Sequence, residues 1–309
     1  MSDISTILKT IEGAVDKLSS HASEKQAGVF KKLVGMLKAL ETRQDAILNN
    51  TKNLKLINNI KVELERIIVD DRYKKEVKEF VSSYNDVQEV SNKYFSSFAS
   101  NFSPKAALNA IRKTAVETTL NGLTETGIQA GVTEGMRKIL LSNMTAGGSY
   151  ADMTEQLRKY MLADENTPGA LEQHVRTFST TAINQYSAEY NKAVADDLGL
   201  EWYVYTGSLL TTSRPFCIKA VEKKYIHVSE FETILEGDFG EFGKVGISKS
   251  TGLPAGLMKG TDKGNLIRRR GGWACGHQMI AVAELIVPRA KKDSVYSSVD
   301  YKLWKIKTA

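Results

Sequence analysis

The sequence predicts a mainly α protein with a small α+β unit toward its C-terminus and long N-terminal helices of partly coiled-coil character. Three observations predict this. Apolar residues recur at three- and four-residue steps through the first part of the chain. Proline is scarce, five in all, and four of these lie beyond residue 160, so early helices can run uninterrupted. From residue 201 the pattern changes to aromatic and β-branched runs broken by glycine.

Residues 1–100 form the first expected region. Ile4, Ile7, Ile11 and Leu18 trace an apolar stripe of coiled-coil type, which returns at Val29, Leu33, Met36, Leu40 and Ile47. Asn49, Asn50 and Thr51 break it. A second helical stretch is expected from about 54 to 84, where Ile57, Ile60, Leu64, Ile67 and Ile68 sit under a charged surface. Such stripes need cover, from each other, from a second copy or from a neighbouring protein.

Residues 101–200 form the second, again helical. Serines and aromatics in NKYFSSFASNFSPKAALNAIRK mark a joint near residue 100, with Ser103 as a helix cap and Pro104 in the first turn. Gly147, Gly148 and Ser149 punctuate the region, and Ser149 opens a new helix. ADENTPGALEQ reads as a turn, followed by one long helix that Gly199 stops.

Residues 201–288 form the α+β unit. EWYVYTGS reads as a strand. Residues 237–272 hold ten glycines and suggest an exposed, irregular loop open to proteolysis. HQMIAVAELIVP reads as a second strand or strand pair ended by Pro288, and residues 289–309 as a polar, basic arm.

Composition bounds the function. Hydrophobic residues make up 42% and charged residues 25%, enough for a packed core. The 42 Lys+Arg exceed the 36 Asp+Glu by a net +6, which allows occasional phosphate contact but is no nucleic-acid fingerprint. The N-terminus carries acids and no apolar core of a signal peptide, and no run approaches the ~18 apolar residues of a membrane helix. A soluble chain made in the cytoplasm of its host, with no membrane partner, is expected. Phosphate-loop, dinucleotide, zinc-protease and nucleophile-elbow motifs are missing, so no enzyme is expected. A nucleophile could be drawn from Cys217 or Cys275 with His277, but no orienting acid stands at a recognisable spacing.

The two cysteines make no disulfide framework. Cys275 and His277 are two apart, so on a strand they share a face. With Cys217 and His227 they offer two thiolates and two imidazoles, a donor set suited to tetrahedral zinc. The spacing C-x9-H-x47-C-x-H is looser than that of a finger, so a Cys217–Cys275 disulfide and plain buried thiols stay open. Arg268, Arg269 and Arg270 adjoin glycines and suit phosphates or an acidic partner surface. Trp273 is expected as a core anchor beneath that loop, and Arg176 and Arg214 as braces paired with acids. His21 and His174 are expected at the surface.

One ordered set of residues runs from 174 to 288: Arg176 and Thr177, Asn184, Ser213 and Arg214, Cys217, Tyr225, then Gly271, Gly272, Trp273, Cys275 and His277 before an apolar strand ending in proline. This order resembles the C-terminal domain of phage Mu F-like minor head proteins, over about a third of the chain. Thr211-Thr212 stand where many relatives have an acid before the Ser-Arg pair, and Ala-Cys-Gly-His replaces Asn-Cys-Arg-Cys. The resemblance implies a structural virion component, present in few copies inside the head near the portal. Such a protein acts in head assembly, DNA packaging or delivery, with portal protein, other head proteins and packaged DNA as partners. Two other classes compete: a Cys/His-dependent enzyme or toxin-like effector, and a zinc-stabilised DNA-binding module. An effector is expected to bring a further domain, and only about twenty residues follow Pro288.

Overall fold

The computed structural model of the chain describes residues 2–100, 102–164 and 167–308. Met1, Asn101 of the expected joint, Glu165 and Asn166 of the expected turn, and Ala309 lie outside the described residues. The chain begins with α1 (Ser2–Leu37), a hairpin of β1 (Thr42–Arg43) and β2 (Ala46–Ile47), α2 (Thr51–Ile68) and α3 (Asp71–Ser96). There follow α4 (Ala106–Leu123), α5 (Glu125–Ile128), a π turn (Gln129–Thr133), α6 (Glu134–Ala146), α7 (Tyr150–Met161) and α8 (Ala170–Leu198). The last third holds β3 (Trp202–Thr206), α9 (Pro215–Lys223), β4 (Tyr225–His227), α10 (Phe231–Leu235), α11 (Leu266–Arg269), β5 (Gln278–Val282), α12 (Arg289–Ser297) and α13 (Val299–Thr308). The mainly α class with a small C-terminal sheet is as expected. Two compact units form. One comprises Met1–Glu12, Tyr84–Ala115 and Thr180–Ala309, the other Gly13–Ser83 and Val116–Ser179. They do not coincide with the contiguous regions 1–100, 101–200, 201–288 and 289–309, because their boundaries fall inside helices.

In the helical unit, Gly13–Ser83 with Val116–Ser179, the apolar spacing becomes core. Leu18, Val29 and Leu33 of α1 and Ile57, Ile60 and Leu64 of α2 are buried. Each such side chain contributes about 1.5–3 kcal/mol relative to exposure. Leu18, Val29 and Leu33 of the α1 stripe are thus covered within the chain itself. Leu40, in the bend after α1, and Ile47, on the hairpin, extend the stripe outside any helix. Gln44 and Asp45 turn the hairpin with φ of 50° and 66°, a left-handed conformation that ends any helix. The Asn50 side chain accepts from Asn53 N at 2.8 Å to start α2. The single helix expected to about residue 84 breaks at Val69, and Asp70 Oδ1 accepts from Tyr73 N at 2.9 Å to start α3. Gly147, with φ of 65°, closes α6, and Ser149 Oγ accepts from Asp152 N at 3.0 Å to open α7, both as expected.

Missing side chains let helices of this unit approach closely. A Cβ at Gly122 would overlap the Phe178 ring, and one at Gly131 the His174 ring. His174, expected at the surface, is half-buried instead. Its Nε2 meets Gly122 O at 2.9 Å, its ring stacks on Phe178, and burial lowers its pKa. His21 pairs with Glu76 at 2.5 Å, and Arg176 pairs with Asp16 at 2.9 Å on the surface.

In the C-terminal unit a three-stranded antiparallel sheet has the order β4-β3-β5. Trp202, Tyr203, Val204 and Tyr205 are all buried, so β3 is covered on both faces, as its aromatic run implies. Register places Trp202 opposite His227 on one side and Val282 on the other, and Thr206 opposite Gln278. Tyr94 of α3 donates to Ala281 O at 2.9 Å, and the Tyr84 ring packs tilted against Tyr186 of α8 at 4.7 Å. The second expected strand is β5 alone; Glu284–Ile286 turns as a short 3-10 helix before Pro288.

Two expectations for this unit need correction. The glycine-rich stretch is irregular and exposed over much of its length, as expected, but it is anchored: Phe239, Val245, Leu257 and Leu266 are buried, and Ser248 N donates to Leu253 O at 2.8 Å. The basic arm is a helical pair. Tyr296, Tyr301 and Trp304 pack around His227, and Thr233 Oγ1 donates to Asp300 at 2.6 Å.

Candidate metal centre

Cys217 sits in the first turn of α9, whose start Pro215 suits because its missing N–H is not needed there. Phe216 N donates to Ala255 O at 3.1 Å, which ties this turn to the glycine-rich stretch. Cys275 and His277 lie in an irregular segment just before β5, not on a strand as expected. They converge nonetheless: Cys275 Sγ is 3.5 Å from His277 Nδ1 and 3.8 Å from Cys217 Sγ. All three are buried, and their donor atoms lie within 4.8 Å of one another. This buried group can hold a metal ion. No Sγ–Sγ bond joins the cysteines, which are free thiols.

His227 does not belong to the group. Its partner across the sheet is Trp202, whereas His277 lies against Gly207, at the other end of β3. Five residues at ~3.3 Å each put about 16 Å between those positions, so one ion cannot reach both imidazoles. His227 Nδ1 accepts from Ser229 N at 3.2 Å and caps the turn Val228–Glu230. Rings of Trp202, Tyr296, Tyr301 and Trp304 surround it at 5.0–6.1 Å. Burial lowers its pKa to about 4, so at neutral pH the ring is uncharged.

Arg270 backs the sulfur group and corrects a second expectation. It is 3% exposed and cannot meet a phosphate or a partner. Its guanidinium donates to His277 O at 3.0 Å, Ile267 O at 2.5 Å, Asn184 O at 3.4 Å and Gln278 Oε1 at 2.5 Å. Gln278 Nε2 in turn donates to Asn184 Oδ1. The neighbouring arginines are also engaged, Arg268 with Glu189 at 2.6 Å and Arg269 with Lys259 O at 3.1 Å. The triplet is therefore a fastening of α8, α11 and the start of β5.

Other side chains close the group from its remaining sides. Arg214, expected to pair with an acid, donates instead to Gly271 O at 2.5 Å and Trp273 O at 2.6 Å. Thr181 Oγ1 accepts from Ala274 N at 2.9 Å. Gly271 has φ of 63°, and a Cβ there would overlap both sulfurs. Tyr205 donates to Cys217 Sγ at 3.5 Å and stacks over His277 at 5.7 Å. Trp273 is not a core anchor. It is 57% exposed at the tip of the loop these bonds hold.

Electrostatics follow from the geometry. The Cys217 thiol donates toward Cys275, and with His277 and Arg270 this holds Cys275 below the ordinary thiol range against the cost of burial. The same hydrogen bond, burial and the charge on Cys275 push Cys217 upward. Burial raises Tyr205 well above its usual value and lowers Arg270. One thiolate beside a buried guanidinium, a second thiol and an imidazole attract a soft or borderline cation. Sequence reasoning missed Tyr205, Thr181 and Gln278, which carry no motif. The Gly-Gly pair before Trp273 was the one readable signal of close backbone approach. Comparison with known proteins finds no family model, no curated protein and no solved structure that the chain matches.

Proposed function

We propose that the chain is a structural component of a tailed-phage head, a minor head protein acting near the portal in head assembly, DNA packaging or delivery. The observation that carries this reading is where the family-like residues gather. Asn184, Arg214, Cys217, Gly271, Cys275 and His277 meet in one largely buried knot, where arginine bonds fasten backbone carbonyls around the Cys-Cys-His contacts. Such a knot suits a rigid assembly part better than a catalyst, whose reacting groups need access. Mass spectrometry of purified virions tests the reading. The expected result is this chain in DNA-filled heads at a few copies per portal. Heads that lack it while cells contain it contradict the proposal.

Within that reading the metal is zinc. Two thiolates and one imidazole fit zinc at about 2.3 and 2.0–2.1 Å, with a fourth position left to water or another donor. Bound zinc would supply folding energy by joining α9 to the segment before β5. No DNA contact is assigned to Arg268, Arg269 or Arg270, since all three are engaged within the chain.

The 3.5 Å approach of Cys275 and His277 favours a second reading, a Cys/His-dependent enzyme. Cys275 is only 7% exposed, so a substrate would need the Trp273 loop to open. Alkylation of the metal-free chain separates the two. Rapid, selective labelling of Cys275 supports the enzyme, and slow labelling of both thiols supports the structural site.

A further inference from the structure

Helix α13 has two apolar faces, and only one is covered. Tyr301 and Trp304 turn inward onto His227. Val299, Leu303 and Ile306 follow the i, i+4, i+7 spacing and are 69%, 51% and 75% exposed. At 100° per residue these three fall on one narrow stripe. Lys302 flanks it and Lys305 lies further round the same side, with no acid within 4 Å of either ammonium among the described residues. Lys307 flanks it on the other side and reaches Glu232 only at 3.9 Å. The inner face holds the helix in place, so the stripe is presented on a fixed rod and needs little ordering to bind.

We infer that α13 is a docking helix whose Val299, Leu303 and Ile306 enter an apolar groove rimmed by carboxylates on a protein partner. The spacing is that of helix-in-groove recognition. The lysine rim decides the kind of partner. A second copy would set like charges against each other, which disfavours pairing of two α13 helices. A nucleic acid would leave the apolar stripe wet. An acidic-rimmed groove satisfies both the stripe and the lysines.

The choice of probe rests on the head-assembly reading: purified portal protein, titrated with the full chain. Wild type should bind. The triple substitution Val299→Ser, Leu303→Ser, Ile306→Ser should weaken binding by about tenfold or more, as loss of an anchor cluster does. The charge reversal Lys302→Glu, Lys305→Glu should weaken it by several-fold, and rising salt should weaken wild type but not that variant. Unchanged far-ultraviolet circular dichroism and thermal midpoint keep the comparison valid, since every altered side chain is exposed. Portal binding that the triple variant leaves intact overturns the inference and spares the head reading. Failure of the wild type to bind portal overturns both. Self-association, or capture by vesicles of anionic phospholipid, that the triple variant abolishes also overturns the inference, in favour of a second copy or a membrane surface.

Discussion

Two buried histidines stand at opposite ends of one strand, and they do different things. His277 lies beyond the Thr206 end of β3, with two sulfurs in reach. His227 lies opposite Trp202, inside a ring of four aromatics. Both rings are uncommonly enclosed, at 7% and 0% exposure, yet only one has partners that could share a cation. Residue type made them equal candidates. Register separated them, because antiparallel pairing fixes which end of β3 each can occupy.

The largest expected lesion lies at the sulfur end. Arg270→Ala removes a guanidinium that satisfies His277 O, Ile267 O, Asn184 O and Gln278 Oε1 together. Breaking such a buried network costs about 3–5 kcal/mol. Urea unfolding should show it, and an effect below about 1 kcal/mol would mean that water replaces the arginine. Gly271→Ala is next. A Cβ at positive φ against both sulfurs should cost about 2–4 kcal/mol and lower metal uptake as well. A stable Gly271→Ala protein with normal uptake would show that the loop can shift away from the sulfurs.

The aromatic end should respond to acid. The folded-state pKa of His227 is lowered to about 4 from 6.5, so its contribution is fully present above 6.5. It is lost as the pH falls from 6.5 toward 4, where the unfolded chain binds a proton that the folded chain does not. Glu201 at 3.5 Å and Glu284 nearby oppose the loss by favouring the charged ring. Tyr296, which also faces the ring, is held uncharged across this range because burial raises its pKa. His227→Phe should flatten this part of the stability–pH curve, and an unchanged slope would assign the acid sensitivity to other groups.

How much of this could be read in the sequence depends on whether the cause was local. The break at Asn49–Thr51, the Ser149 cap, the Gly147 and Gly199 stops and the β3 run are local chemistry, and the structure has them where expected. The hairpin at Gln44–Asp45 escaped because neither residue advertises a left-handed turn as glycine does. Arg270 escaped because three adjacent arginines look alike until helix α11 turns one inward. The C-terminal helices hid because Tyr296, Tyr301 and Trp304 are spread among lysines and serines. Of the site, Cys217, Cys275 and His277 were legible as chemistry. Their exclusion of His227, and the bracing by Tyr205 and Thr181, needed the fold.

Trp273→Ala should have the smallest effect, within about 0.5 kcal/mol, because the ring is exposed and the loop is held by its backbone. A larger loss in thermal unfolding would mean that the ring covers the sulfur group.

Metal content tests the central claim most directly. Full-length chain, purified reduced without added metal, is analysed for zinc as wild type, His227→Phe and Cys275→Ser. The account predicts about one zinc per chain in wild type and in His227→Phe, and none in Cys275→Ser. A folded wild type without zinc, or a His227→Phe protein that loses it, would contradict a centre built from Cys217, Cys275 and His277 alone.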